Sequence, residues 1–449
     1  MYFTLAVSAA TRQACAVLAE AAERTDPRVM PIPGPARVAW RAPGGRAAVL
    51  HWGDGDRCDD HSAGTSHAGT FWAGAATAYA RTGLTRVDPV YLAETGDAVV
   101  VSDRASWAAA VTGRMDDPDP AMIGAFLSLG YPVGAATPFR GVRALGGDRA
   151  LRLADGRLMV TRTRPEDEPP TGPDRVAAAL TEAVRPLGGP DPQTASGPVQ
   201  AGGHGGELLR GGYAQAAWRT PRTAPGAASA LSAAAAAELF RRMTTRRLSL
   251  LRRGPARAYL ASLAWPAAAL ARGPLAALDD FYLANRAGRW SAAARQAYLL
   301  RSPLSQPLFA DQVVRAARAV PLRDRMSDRL HRDVLGMLCP ELLGIPLAGS
   351  GWHGEPRTPA TVLAAPPGPA ATDWRRDYGE AVAGFLRGYV LDHAETSPLF
   401  GIVRRKAAEH LLRLPQADRH GAWALATLAA RLSGDWLNAR EPARQALLR

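Results

Sequence analysis

Between Gly202 and Tyr213 the chain places six glycines, a histidine, a carboxylate and an arginine in twelve residues: Gly202-Gly203-His204-Gly205-Gly206-Glu207-Leu208-Leu209-Arg210-Gly211-Gly212-Tyr213. Glycines at this density let successive backbone N–H groups converge on an anion. Glu207 could hold a divalent cation against that anion, and Arg210 could neutralise it. These residue types point to a pyrophosphate and Mg²⁺ loop. The plainer alternative is a glycine-rich turn that opens a helical region. On that reading Glu207 is a solvated carboxylate near a helix start, His204 an exposed loop residue and Arg210 a surface arginine.

Other reactive side chains carry weaker patterns. His51, Asp54, Asp56, Cys58, Asp59, Asp60 and His61 are all metal-compatible, but their spacing matches no closed zinc or calcium site, and a solvated loop is expected. Ser102 and Ser196 lack a nucleophile-elbow context. Trp290, Trp352 and Trp436 read as core residues. No catalytic residue can be assigned.

Around these groups, composition narrows the possibilities. The 449 residues are enough for two or three domains, and 47% hydrophobic content supports sizeable cores. The net charge of +13 raises the question of nucleic acid. Lys406 is the only lysine among 54 basic residues, and the arginines are spread along the chain. No basic stripe carries interleaved aromatics, so no nucleic-acid partner is expected. No uncharged apolar run reaches the ~20 residues of a membrane span, so no membrane partner is expected either. The stretch from Met1 to Cys15 lacks a basic leader region and reads as a folded strand. Cys15, Cys58 and Cys339 are far apart, which suits a reducing, cytoplasmic setting.

Residues 1–163 read as mostly β. Short apolar strands begin near Arg37, Ala47, Pro89, Ala98, Ala150 and Arg157, with hairpin signals at Gly96-Asp97 and Asp155-Gly156. Helices are expected at 9–24, 104–112 and 119–129, the last opened by Asp119-Pro120. Residues 164–203 are rich in proline and glycine and read as a linker with one helix at 174–185. From 204 to 449 the pattern is helical. Segments are expected near 227–243, 256–271, 274–301, 309–319, 327–338, 375–393, 400–413 and 420–433, with a second Pro/Gly-rich loop at 353–371.

Taken together, these segments resemble the asparagine-synthetase-like family, which includes asparagine synthetases, β-lactam synthetases and lasso-peptide macrolactam synthetases. Gly203, Gly205, Gly206, Gly211, Gly212 and Tyr213 match its second nucleotide-site motif, Ser-Gly-x-Gly-[Ala/Ser/Gly]-Asp-x-x-x-Gly-Gly-Tyr, and Glu207 stands where the family has a magnesium-binding Asp. The segments Asp280–Trp290, Pro307–Asp311 and Pro321–Glu341 resemble the helices that follow. Pro89-Val90-Tyr91, Val101–Arg104 and Thr137–Val142 resemble the degenerate glutaminase-like domain.

The resemblance implies three parts. Residues 1–163 would form an α+β glutaminase-like sandwich of degenerate Ntn type. Residues 164–203 would be a linker replacing most of the nucleotide-binding sheet. Residues 204–449 would form a mostly α-helical remnant of an α/β ATP-pyrophosphatase synthetase domain. It also implies ATP and Mg²⁺ as cofactors, with Gly203, His204, Gly205, Gly206 and Arg210 toward the nucleotide and Glu207 toward the metal. The implied activity is an ATP-dependent amide- or lactam-forming ligase acting on a small-molecule or peptide substrate, in which a carboxylate is adenylated and an amine then attacks.

The chain departs from the family pattern in three ways. The pyrophosphate loop Ser-Gly-Gly-x-Asp-Ser has no counterpart, and the interval from Asp174 to Gly202 is too short for the ~30 residues of a βαβ unit and its neighbours. Tyr2 stands where a glutaminase would carry its cysteine nucleophile, so no glutaminase activity is expected. Asp328 stands where amidating members carry a catalytic lysine, and Lys406 could replace it only if the fold brings it back. A second expectation therefore stands beside the ligase: a catalytically inactive member that binds a partner protein or a peptide.

Overall fold

The first strand, Tyr2–Ala9, is buried on both of its faces from Leu5 to Ala9. Leu5, Val7 and Ala9 face one way, into a cluster with Cys15, Ala19, Leu50, Val100 and Trp107. Ala6 faces the other way and packs with Val49, Val99, Leu151 and Leu153. A strand alternates its side chains between faces, so burial of the consecutive residues Leu5 to Ala9 marks a strand covered on both sides.

The computed structural model describes residues 2–23, 38–41, 44–53, 69–73, 78–162, 170–185, 200–201, 204–218, 233–262, 273–299, 304–344, 380–392, 394–395, 397–413 and 418–433. Tyr2–Ala9 lies inside a six-stranded sheet ordered Val38–Arg41, Ala47–Gly53, Tyr2–Ala9, Ala98–Ser102, Tyr91–Glu94, Val142–Ala144. All of its pairings are antiparallel. Helices Arg12–Glu23 and Ala105–Val111 cover one face. A second antiparallel sheet, ordered Arg157–Arg162, Arg149–Ala154, Ala78–Thr82, Gly69–Ala73, covers the other.

Both hairpins expected from turn chemistry are present. Asp155 and Gly156 both adopt positive φ, 50° and 73°, between Arg149–Ala154 and Arg157–Arg162. That geometry matches the twist of a two-residue turn. Tyr91–Glu94 pairs with Ala98–Ser102 across the Gly96-Asp97 turn. Helix Pro120–Leu129 starts where Asp119 accepts a hydrogen bond from the Ala121 N–H at 2.8 Å, with proline in its first turn.

From residue 204 onward the described elements are helical, apart from the two-residue strand Leu304–Ser305. That strand pairs in parallel with Gln200–Ala201. This short ladder is the one parallel pairing among the described residues, and it ties the chain just ahead of the glycine segment to residues 304–305. The helix expected over 274–301 is a composite. Pro274–Phe281 and Ala292–Leu299 are α-helical, and Tyr282–Ser291 between them is a π-helix. The wider turn buries Asn285, Arg289 and Ser291 within a long amphipathic element.

The β-rich and helical parts share cores. Helix Pro120–Leu129 packs on Pro255–Ser262 and joins a cluster with Leu251, Leu260, Leu386, Leu412 and Leu425. The buried Arg247 pairs with Asp418 and donates to the Leu127 carbonyl at 2.8 Å. A second seam runs along residues 84–88. The Leu84 N–H donates to Asp311 Oδ1 at 2.8 Å, and Asp88 pairs with Arg295 at 2.9 Å. Asp148 pairs with Arg315 at 2.7 Å. Asp311, in the segment Pro307–Asp311, thus joins the two parts, and burial raises its carboxyl above the usual range.

Candidate functional site: the glycine segment and Asp328

The glycine segment folds as two short helical pieces, Gly206–Leu209 and Gly212–Trp218. Its glycines serve close packing. A Cβ on Gly205 would lie 3.0 Å from Leu308, on Gly211 2.9 Å from Leu322, and on Gly212 2.4 Å from the Tyr282 ring. All three also have positive φ, of 108°, 77° and 49°. Glycine is required there because the backbone turns left-handed and large apolar side chains press against it. The segment also consumes several of its own N–H groups. Leu208 donates to the Gly205 carbonyl at 2.9 Å, Arg210 to Glu207 at 3.2 Å and Ala214 to Gly211 at 2.9 Å.

Arg210 points at a carboxylate of this chain. Its Nε donates to Asp328 Oδ1 at 2.6 Å and its Nη2 to Asp328 Oδ2 at 2.8 Å. Asp328 is 1% exposed and stands just ahead of helix Arg329–Leu338 with φ of 63°. Gln215 Nε2 adds a bond to Asp328 Oδ1 at 2.7 Å and another to the Met326 carbonyl at 3.1 Å. The bond to Asp328 raises the Arg210 pKa above its ordinary value, with burial working against it. Arg210 is 32% exposed, and its guanidinium is engaged with Asp328. Fork-to-fork geometry uses the same guanidinium edge that would grip a phosphate.

The remaining candidates divide. His204 and Glu207 are exposed. Gly206 lies beside the His331 ring, which a Cβ there would meet at 3.7 Å. His331 Nδ1 is buried without a hydrogen-bond partner. Burial, then the neighbouring Arg210, pull His331 down to about 4. Arg325 fixes the segment from below. It donates to the Leu208 carbonyl at 3.2 Å and pairs with the buried Asp279 at 2.8 Å. Gly202 and Gly203 lie outside the described residues.

The other sequence candidates are placed as follows. Ser102 is fully buried, and its Oγ accepts the Arg104 N–H at 3.1 Å. Trp290 is 36% exposed rather than core, with the Arg286 guanidinium 3.6 Å above its ring. Lys406 is exposed on helix Arg405–Arg413, which packs against Glu380–Leu391 and Arg419–Ser433. Asp54, Asp56, Cys58, Asp59, Asp60, His61, Ser196, Trp352 and Trp436 lie outside the described residues. Among the described residues no three His, Cys, Asp or Glu side chains gather as a metal site, and no helix is long and apolar enough to cross a membrane.

These residues fit MgATP poorly. The cationic partner of the phosphates is held by Asp328, three N–H groups of the segment are spent inside it, and Glu207 stands on a four-residue helical turn. Sequence reasoning singled out Asp328 only as a replacement for lysine. It missed Gln215 and Arg325, because neither spacing nor residue type marks a partner more than a hundred positions away. Compared with protein-family models and with curated proteins, the sequence matches none.

Proposed function

We propose that this chain is a non-catalytic, asparagine-synthetase-like binding protein in which the former nucleotide segment has become a structural joint. The observation that carries this reading is the bidentate Arg210–Asp328 pair. A buried carboxylate holding the segment's cation by two hydrogen bonds competes directly with a phosphate for it, and detaching it would strip a buried charge of its cationic partner. The packing of Leu308, Leu322 and Tyr282 against the glycines supports the same view, since it closes the backbone rather than opening it to a ligand. Such a protein acts by holding a small molecule, a peptide or a partner protein.

The ligase reading retains two supporting observations. Glu207 is exposed, and Gln200–Ala201, just ahead of the segment in sequence, pairs in parallel with Leu304–Ser305. The test is ATP–pyrophosphate exchange with a panel of carboxylic acids, together with titration of MgATP. Neither exchange nor nucleotide binding is expected. Exchange that disappears in Glu207→Ala would overturn the proposal in favour of the ligase.

A further inference from the structure

A cavity of about 420 Å³ opens where the β-rich part meets the π-helix. That volume falls within the range of small-molecule sites. Its walls include Val133, Phe240 and Phe281, and the two rings meet edge to face at 5.0 Å. Gly134 and Ala135 line it and are exposed, which marks them as its rim. Gly134 is fixed by its N–H, which donates to Asn285 Oδ1 at 2.8 Å. A cavity of this lining accepts an apolar body.

One wall residue breaks the apolar pattern. Arg86 is 5% exposed and adopts a left-handed backbone, φ 55°, rare for a side chain of its size. Its Nη1 donates to the Leu145 carbonyl at 3.2 Å and its Nη2 to the Ala284 carbonyl. A guanidinium has five N–H donors, so these two bonds leave about three for another acceptor. No carboxylate pairs with Arg86 among the described residues. The charge acting on it most is a second cation, Arg289, itself 6% exposed, with its Nε unpartnered. Burial, then Arg289, draw Arg86 down to about 9, and burial lowers Arg289 too. Two neighbouring buried cations facing carbonyls and tyrosines are costly in the absence of an anion.

We propose that this cavity binds a small monocarboxylate with an apolar or aromatic body, its carboxylate on Arg86 and its body between Phe240, Phe281 and Val133. A carboxylate suits the site better than a phosphate. It matches the planar fork of a guanidinium, and its single charge is cheaper to desolvate in a mostly apolar cavity. Neither Arg210 nor Asp328 lines this cavity, and the inference does not depend on whether their segment binds a nucleotide.

The test is calorimetric titration of the full chain with 4-phenylbutyrate and, as matched neutral and cationic controls, 4-phenylbutanol and 4-phenylbutylammonium. The acid is expected to bind at least about tenfold more tightly than the alcohol, and the ammonium not to bind. Arg86→Gln should abolish the difference between acid and alcohol. Ala135→Phe, at the exposed rim, should weaken the acid by about tenfold or more without lowering Tm, so the inference stays testable if Arg86→Gln fails to fold. The proposal is overturned if the acid binds no better than the alcohol, if no binding is seen into the millimolar range, or if the Ala135→Phe protein binds the acid undiminished.

Discussion

Arg210 and Asp328 share two hydrogen bonds, at 2.6 and 2.8 Å, but they are buried unequally: 32% of the arginine side chain is exposed and 1% of the aspartate. The pair therefore breaks asymmetrically. Arg210→Met takes the guanidinium from a buried carboxylate and should cost about 3 kcal/mol. Asp328→Asn leaves a guanidinium that reaches water and keeps an amide that tolerates positive φ, so it should cost about 1–2 kcal/mol. Urea unfolding of both variants checks the order. Equal losses would mean that the buried aspartate is not the costly partner.

Gly212 tests whether the glycine segment is packed or open. With φ of 49° and the Tyr282 ring 2.4 Å from a would-be Cβ, Gly212→Ala should destabilise by about 2–4 kcal/mol. Gly384, within helix Glu380–Leu391, has open space at the same point, so Gly384→Ala should stabilise by about 0.5–1 kcal/mol through helix propensity. Thermal melts of the two variants should shift in opposite directions. A neutral Gly212→Ala would show that Tyr282 does not press on this backbone.

His331 gives the fold a pH dependence. Its folded value of about 4 lies below the ordinary 6.5. Between these values the unfolded chain binds a proton that the folded chain does not, so stability falls as pH falls through this window. Above pH 6.5 the group is neutral in both states and contributes no pH dependence. The full loss, on the order of 3 kcal/mol, is reached near pH 4. His331→Gln should remove this part of the slope. Stability measured from pH 7 to 4 in both proteins checks it, and parallel curves would refute it.

The seam between the β-rich and helical parts rests on groups buried on both sides. Arg315 and Asp148 are each 8% exposed and 2.7 Å apart. Asp148→Ala should take a close carboxylate from a buried guanidinium and cost about 3 kcal/mol or more. Differential scanning calorimetry should then show whether the two parts still melt together. A single unshifted transition would mean that the seam is held elsewhere.

Much of the element pattern was legible along the chain. The Asp119-Pro120 start, the Asp155-Gly156 turn and the helices beyond residue 204 depend on residues within a few positions of one another, and local physics decides them. The π-turn at Tyr282–Ser291 was not legible, because it depends on burying Asn285 and Arg289 against the distant loops at Gly134 and Ala136. Trp290 was misplaced as core for the same reason. Its side of that helix is decided by the extra residue in the turn.

The sequence by itself determined that Gly202–Tyr213 is glycine-rich, that it carries Glu207 and Arg210, and that no Ser-Gly-Gly-x-Asp-Ser segment occurs ahead of it. It could not determine what the glycines and the arginine are for. A left-handed, Cβ-free backbone serves a phosphate or a packed side chain equally well, and a guanidinium takes a phosphate or a carboxylate with the same fork. Only the tertiary structure shows which neighbours meet them, by bringing Tyr282 against Gly212, Asp328 against Arg210, and Arg86 to the wall of a cavity.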